Sequence, residues 1–130
     1  ISRGGFWAFS IALRHPDAFS AVGGHSPHFE PDNVAPEFNP LELAARANPT
    51  RVALRIYLDH GADDYVGTNV RRMSDLLRQN GIAHDYFVDP LGDHDMAYWS
   101  SHVAEYLSFY GQVWPKDVAA LPSCLEPVPQ

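Results

Sequence analysis

Three residue types that stand far apart in the sequence could together perform nucleophilic catalysis. Ser2 provides a hydroxyl, Asp63 and Asp64 provide neighbouring carboxylates, and His94 provides an imidazole. A serine hydroxyl becomes a nucleophile when a neutral histidine accepts its proton. A carboxylate on the other ring nitrogen fixes the histidine tautomer and stabilises the imidazolium. The sequence therefore offers a candidate serine–histidine–acid arrangement, with either Asp64 or Asp63 as the acid.

The residues around Ser2 fit a sharp turn between a strand and a helix. The complete motif of this turn is G-x-S-x-G; x-S-x-G is present, and its leading glycine would precede Ile1. Gly4 and Gly5 would let the helix pack closely against the strand. The backbone N–H of Arg3 would then contribute to an oxyanion hole. The motif is short, and a serine beside two glycines at a chain end can also be without function.

Composition excludes several classes of protein. The chain has 130 residues, of which 45% are hydrophobic, and this is enough for one globular core. Its net charge of −7 argues against nucleic acid or an anionic membrane as a partner. The only cysteine, Cys124, excludes an internal disulfide.

Helical and strand patterns alternate along the chain. Alternation of this kind predicts a parallel sheet with helices on both faces, a three-layer α/β/α sandwich. In the last helix we expect an inward face made of Trp99, Val103, Tyr106, Leu107 and Tyr110. The predicted elements are a helix over 6–14, a strand over 20–23, a short helix from Asn39, a strand over 52–58, a helix over 68–80, a strand over 84–88 and a helix over 95–110.

In an open parallel sheet, ligands bind beyond the carboxyl ends of the strands. Ser2, the loop 59–66 and the loop 90–95 are all expected at that edge. The proline-rich loop 25–40 is expected on the surface. Its residues His25, His28 and Phe29 could line a substrate pocket.

The histidines also raise the question of a metal site. The residues His25, His28, His60 and His94, with Asp59, Asp63 and Asp93, fall in the same loops, but none shows the tight helical spacing of a strong zinc motif. We therefore predict no metal. His84 and His102 are predicted to lie on the surface.

The order serine, acid, histidine is that of α/β hydrolases. Several segments together resemble the esterase family that contains esterase D (S-formylglutathione hydrolase), feruloyl and acetyl-xylan esterases, enterochelin esterases and the mycolyltransferases. The resemblance covers residues 1–110. The segments that carry it are Ser-Arg-Gly-Gly from Ser2, His-Pro-Asp-Ala-Phe from His15, Gly-Ala-Asp-Asp-Tyr-Val from Gly61 and Leu-Gly-Asp-His-Asp-x-x-x-Trp from Leu91.

The resemblance implies a role for each candidate residue. Ser2 matches the nucleophile, His94 the general base, and Asp64, three residues after Gly61, the acid, with Asp63 as the alternative acid. It implies hydrolysis of a small-molecule carboxylic ester or thioester through an acyl-enzyme, without a cofactor. The chain departs from the family at Asp93, where the family often has the second glycine of Gly-Gly-His-Asp.

The resemblance also implies a domain organisation. Residues 1–112 would be the C-terminal half of an α/β-hydrolase domain, and residues 113–130 a Pro-rich extension. The second oxyanion donor would belong to the other half, so we expect this chain alone to be inactive. The missing half, or a second copy, should cover the open edge of the first strand. The alternatives are an inactive hydrolase fold that acts as a binding module, an acyltransferase with the same triad, and a metal-dependent hydrolase.

Overall fold

The computed structural model describes residues 1–30 and 34–114. Residues 115–130, which form most of the expected Pro-rich extension and include Cys124, lie outside the described part. The helices are α1 (Ser2–Arg14), α2 (Pro40–Ala45), α3 (Gly67–Gln79), α4 (Met96–Ser101) and α5 (Val103–Gly111). The strands are β1 (Ala21–His25), β2 (Arg55–Gly61) and β3 (Asp85–Asp89).

The three strands form one parallel sheet in the order β1-β2-β3. Val22 pairs with Ile56, and Leu58 pairs with Tyr86. This confirms the predicted parallel sheet. Within the described residues, β1 and β3 each have a strand partner on one side only.

The main apolar core lies between the sheet and helices α1, α2 and α3. Alternate strand residues such as Val22, Ile56 and Leu58 point to this side, because successive side chains of a strand face opposite ways. From the helices the core receives Phe6, Phe9, Leu41, Val70, Met73 and Leu77. Phe9, Met73 and Leu77 have no solvent-exposed surface.

Helices α4 and α5 cover the opposite face of the sheet. Tyr57, which alternates with Ile56 and Leu58, packs against Phe109 with 5.3 Å between ring centroids. His25 at the end of β1 stacks on Tyr106 at 3.5 Å. The sheet therefore has helices on both faces, as the predicted α/β/α sandwich requires.

The predicted inward face of the last helix is partly wrong. The helix breaks at His102, where the backbone leaves helical geometry, and the break changes which residues face the sheet. Val103 and Leu107 are 47% and 54% exposed, whereas the buried residues are Tyr98, Tyr106 and Phe109.

His102 is buried rather than on the surface, which corrects a second prediction. Its Nε2 lies 2.9 Å from Asp89 Oδ2, and its Nδ1 lies 2.9 Å from the carbonyl oxygen of Tyr98. These polar partners allow an imidazole to be buried at the helix break. His84, the other histidine predicted on the surface, is half-buried and bonds Ser74 Oγ at 2.8 Å.

The strands extend further towards their carboxyl ends than the sequence predicted. Strand β2 begins at Arg55 and runs through Asp59 to Gly61, so residues assigned to a loop belong to the sheet. Strand β1 likewise reaches His25, which pairs with Asp59 in the register. Both side chains consequently point towards α4 and α5.

Candidate active site

Ser2 is the first residue of α1 and has an unusual backbone. Its φ of +49° lies in the left-handed region, which non-glycine residues rarely adopt. Its carbonyl oxygen accepts a hydrogen bond of 3.1 Å from the N–H of His28. The helix approaches the segment after β1 so closely that a Cβ on Gly5 would lie 2.7 Å from Pro27 Cβ. Glycine at position 5 is therefore a packing requirement.

Asp64 lies in the loop after β2 and is held by backbone groups of that loop. Its N–H donates to the carbonyl of Gly61 at 3.1 Å, and its Oδ1 accepts from the N–H of Val66 at 3.0 Å. The Asp64 side chain has no exposed surface. A carboxylate in this position has a fixed orientation.

His94 lies in the loop between β3 and α4. Asp93 Oδ1 accepts from the backbone N–H of His94 at 2.7 Å, so the departure from the family pattern at Asp93 contributes a local turn contact. Asp95 is the N-cap of α4 and accepts from the N–H of Tyr98 at 2.8 Å. Gly92, at φ +121°, accepts from the N–H of Asp63 at 3.2 Å. This last bond joins the loops that carry Asp64 and His94.

The start of α1 and the loops after β2 and β3 bring Ser2, Asp64 and His94 together. His94 Nε2 lies 2.9 Å from Ser2 Oγ, and His94 Nδ1 lies 3.0 Å and 3.2 Å from the two carboxylate oxygens of Asp64. Because a carboxylate can only accept, Nδ1 carries the proton and Nε2 is free to accept from the serine hydroxyl. Asp63 is exposed, and it is Asp64 that contacts the imidazole.

Two aromatic rings flank the His94 imidazole. The centroid of the Tyr65 ring lies 4.7 Å from that of the imidazole, and the Trp99 ring lies 5.1 Å away in a T-shaped arrangement. Tyr65 is 66% exposed and also contacts His28 at 5.6 Å. No role was predicted for Tyr65 from the sequence, where its place directly after Asp64 is the only signal.

A cavity of about 280 Å³ lies against the first turns of α1. Its lining residues are Arg3, Phe6, Trp7, His28 and Val34. His28 lines this cavity, and its Nε2 contacts the carboxylate of Glu30.

His25 and Phe29 do not line this cavity, which corrects the prediction for both. Phe29 has no exposed surface and packs against Phe9 at 5.3 Å. His25 is 6% exposed and bonds Asp59. The Ser26 backbone at φ +46° turns the chain here, and its N–H bonds the Asp59 carbonyl at 2.9 Å. Phe29 is thereby part of the apolar core.

The N–H of Arg3 lies in the first turn of α1. The first N–H groups of a helix have no intrahelical acceptor, and they carry the positive end of the helix dipole. The Arg3 N–H is thus available to an oxygen close to Ser2. The Arg3 side chain lines the cavity described above.

The buried carboxylate of Asp59, near the end of β2, affects the pKa values of several tyrosines. Burial and then the negative charge of Asp59 raise the pKa of Tyr57 to about 12. The same two causes, in the same order, also raise the pKa of Tyr98 and Tyr106. These phenols therefore remain protonated near neutral pH, and the hydroxyls of Tyr98 and Tyr106 donate hydrogen bonds to Asp59.

Residues that were considered as metal ligands form hydrogen bonds with other side chains instead. His25 bonds Asp59 and Tyr110, and His60 bonds Tyr86 Oη at 2.9 Å. Across residues 1–30 and 34–114, no three His, Cys, Asp or Glu side chains are grouped so that they could hold a metal ion. In the same ranges, no helix has the length and apolar character needed to cross a membrane.

The chain is similar to known esterases in both sequence and structure. A family model described as "Putative esterase" matches residues 1–110. A ferulic acid esterase structure is 23% identical with a TM-score of 0.75, and the match covers 87% of this chain and 49% of that chain. The S-formylglutathione hydrolase FrmB from Staphylococcus aureus is 21% identical with a TM-score of 0.70, and the match covers 83% of this chain and 47% of that chain. FphF, a fluorophosphonate-binding serine hydrolase from Staphylococcus aureus, is 19% identical with a TM-score of 0.62, and the match covers 83% of this chain and 51% of that chain.

The chain spans about half the length of these solved structures. No curated protein sequence matches it significantly. Since the family model extends over residues 1–110 and the solved structures share its architecture, the chain belongs to the Esterase family and has the α/β-hydrolase fold.

Proposed function

We propose that the protein is a serine esterase that hydrolyses a carboxylic ester or a thioester. The observation that carries this proposal is the position of His94 between a hydroxyl and a buried carboxylate. Its Nε2 lies 2.9 Å from Ser2 Oγ, and its Nδ1 lies 3.0 Å from Asp64 Oδ1. Both distances are within hydrogen-bond reach, which a nucleophile, its base and the orienting acid require.

In the proposed reaction, Ser2 Oγ attacks the carbonyl carbon of the ester while His94 Nε2 takes the hydroxyl proton. The resulting oxyanion is stabilised by the N–H of Arg3 at the start of α1. When the tetrahedral intermediate collapses, the bond to the alcohol or thiol breaks, and His94 returns the proton to that leaving group. Water then attacks the acyl-enzyme with His94 again as the base, which releases a carboxylic acid and restores Ser2.

The backbone at Ser2 supports the nucleophile assignment. A φ of +49° costs about 1–3 kcal/mol in a non-glycine residue, and strained positions of this kind cluster at active sites. Membership of the Esterase family agrees with this chemistry. One similar structure, FphF, is a fluorophosphonate-binding serine hydrolase, which suggests a fluorophosphonate as a probe for the serine.

We further propose that a strand from the part of the protein outside residues 1–130 pairs with the open edge of β1. An apolar cleft of about 250 Å³ follows this edge and includes Ile11, Phe19 and Val22. Ile11 and Phe19 are 45% and 44% exposed, which is unusual for large apolar side chains beside a sheet edge. The same part of the protein would supply the second oxyanion donor. Residues 1–130 expressed alone should therefore self-associate and lack esterase activity, and an active monomer of this length would contradict the proposal.

The test of the proposed function compares the intact protein with its Ser2→Ala variant. We expect the wild type to hydrolyse p-nitrophenyl acetate and to be labelled by a fluorophosphonate. Ser2→Ala should lose labelling and lower kcat about 10⁶-fold or to the background rate. Ser100→Ala, at an exposed serine of α4, is the matched control and should retain both activities.

Each alternative has a distinct outcome in the same experiment. An unlabelled wild type would indicate an inactive binding module. Labelling at Ser2 followed by transfer of the acyl group to an alcohol in preference to water would identify an acyltransferase. Activity that survives Ser2→Ala and disappears with a chelator would indicate a metal-dependent hydrolase. Near wild-type hydrolysis by Ser2→Ala, with or without a chelator effect, would refute the proposal.

A further inference from the structure

Asp59 is a buried carboxylate for which the proposed mechanism has no use. Its side chain has no exposed surface, and it accepts three hydrogen bonds of 2.8 Å. His25 Nδ1 donates to Oδ1, and the hydroxyls of Tyr98 and Tyr106 both donate to Oδ2. A buried charge is costly unless its oxygens are satisfied, so three donors on one carboxylate hold it in a single orientation.

Tyr98 connects Asp59 to the loop that carries His94. The Tyr98 ring packs against Gly92 so closely that a Cβ on Gly92 would lie 2.5 Å from the ring. The Tyr98 N–H is bonded to Asp95 Oδ1 at 2.8 Å. Tyr98 thus contacts the chain on both sides of His94, two residues before it and one residue after it. Its hydroxyl anchors these contacts to the sheet through Asp59.

The Asp59 backbone connects to the serine side of the site. Its carbonyl oxygen accepts from the N–H of Ser26 at 2.9 Å. Two residues later, the N–H of His28 donates to the Ser2 carbonyl at 3.1 Å. The carboxyl end of β2 therefore supports both the segment that contacts Ser2 and the loop that carries His94.

On the basis of the proposed function, we propose that Asp59 and Tyr98 are positioning residues for His94. The Asp59 carboxylate fixes the Tyr98 ring, and the ring fixes the turn from Gly92 to Asp95. In this position of the turn, His94 Nε2 is within hydrogen-bond distance of Ser2 Oγ. Neither residue touches the substrate or the reacting atoms. A displacement of about 1 Å in an active site can cost about 100-fold in rate, so a loose Tyr98 should lower the chemical rate.

Tyr106 provides a matched comparison. Its hydroxyl donates to the same oxygen of Asp59 at the same distance as that of Tyr98. It lies on α5, and the ring contacts described for it are with His25, Tyr57 and His102, none of which belongs to the His94 loop. Tyr98→Phe and Tyr106→Phe each remove one oxygen atom and one hydrogen bond to Asp59. A purely structural role of Asp59 predicts equal effects, whereas positioning predicts that only Tyr98→Phe slows the reaction.

The experiment measures kcat and KM of the intact protein with p-nitrophenyl acetate, together with Tm. We expect Tyr98→Phe to lower kcat 10- to 100-fold and to leave KM within about two-fold. Tyr106→Phe should remain within about two-fold of wild type in kcat, with a loss of Tm similar to that of Tyr98→Phe. The downfield proton resonance of His94 Nδ1 in NMR spectra should weaken in Tyr98→Phe only.

Equal effects of the two substitutions on kcat, or no effect of Tyr98→Phe, would overturn the positioning role. If Tyr98→Phe is not folded, Asp59→Asn replaces it, and a folded Asp59→Asn with kcat within two-fold of wild type would overturn the role equally. Ser2→Ala is measured in parallel. A Ser2→Ala variant with wild-type activity removes both proposals, whereas loss of activity in Ser2→Ala with normal activity in Tyr98→Phe removes only this one.

Discussion

Replacing Asp64 by asparagine should almost abolish esterase activity, whereas the same change at Asp63 should not. The two residues are adjacent, and each substitution exchanges one carboxylate for an amide of the same size. Asp64 is buried against the imidazole of His94, and Asp63 is exposed. The pair therefore separates loss of the orienting acid from a general effect of losing negative charge in this loop.

The magnitude follows from the hydrogen bonds at Asp64. Oδ1 accepts from the N–H of Val66, and both carboxylate oxygens face His94 Nδ1. In the Asp64→Asn variant the amide oxygen would keep the Val66 bond, which turns the NH₂ group towards Nδ1. An NH₂ group in the place of Oδ2, 3.2 Å from Nδ1, favours an imidazole that accepts at Nδ1 and carries its proton at Nε2, where it cannot take a proton from Ser2. The neutral amide also no longer stabilises the imidazolium that forms in the reaction. A wrong tautomer of this kind lowers kcat about 10⁴-fold, or about 5.5 kcal/mol of transition-state stabilisation.

The assay is kcat/KM for p-nitrophenyl acetate with the intact protein, with thermal unfolding to show that both variants are folded. Asp63→Asn should remain within about two-fold of wild type, because surface substitutions of this kind have small effects. A loss of less than tenfold for Asp64→Asn, or a greater loss for Asp63→Asn than for Asp64→Asn, would refute this account of His94.

Two further predictions concern stability. Gly5→Ala should destabilise the fold by about 1–3 kcal/mol in urea unfolding, because its Cβ would lie 2.7 Å from Pro27 Cβ. Gly4→Ala is its control: no described heavy atom lies within 4 Å of that Cβ, so it should be neutral or stabilise by up to about 1 kcal/mol, and equal losses at both positions would contradict the packing argument. The pKa of Tyr57 rises from 10.0 in the unfolded chain to about 12 in the fold, so its contribution to stability is complete below pH 10 and is lost as the pH rises to 12. The free energy of unfolding should therefore fall over pH 10–12, by about 1.4 kcal/mol per pH unit for each such tyrosine, with a smaller slope in Tyr57→Phe, and an identical slope in that variant would count against the assignment.

Local patterns in the sequence were sufficient to predict the architecture and to bring the candidate residues to one sheet edge. Alternating helices and strands imply a parallel sheet, and residues that follow parallel strands must meet at its carboxyl edge. For that reason Ser2, Asp64 and His94 could be grouped although up to 92 positions separate them. The start of the short helix at Asn39 was predictable in the same way, because a side-chain cap depends on neighbouring residues only. In the structure Asn39 Oδ1 accepts from the N–H of Leu41 at 3.0 Å.

Features that depend on long-range pairing were not predictable. The inward face of the last helix changed because His102 interrupts it to bond Asp89, a residue of β3. The choice between Asp63 and Asp64 likewise required the loop geometry. Both residues follow β2, and the bonds of Asp64 to Val66 and His94 show that Asp64 is turned inward. His25 and Phe29 were assigned to a pocket because the strand end at His25 could not be located from a glycine pair and a proline-rich segment. In each case the deciding contact lies outside the window that periodicity can describe.

Stabilising and costly features lie in different parts of the fold. This is a physical reason why the architecture was predictable and the detailed contacts of the site were not. The apolar core between the sheet and α1–α3 contains fully buried side chains such as Phe9 and Leu77, and each one stabilises the fold by about 1.5–3 kcal/mol. The carboxyl edge of the sheet carries features that cost free energy. These are the left-handed backbone conformation of Ser2 and two buried carboxylates, Asp59 and Asp64. Such features persist only where the surrounding structure determines them completely, and here three hydrogen bonds fix Asp59. The core therefore tolerates conservative apolar exchange, whereas the edge depends on particular atoms, and it is at the edge that single-atom substitutions distinguish catalysis from folding.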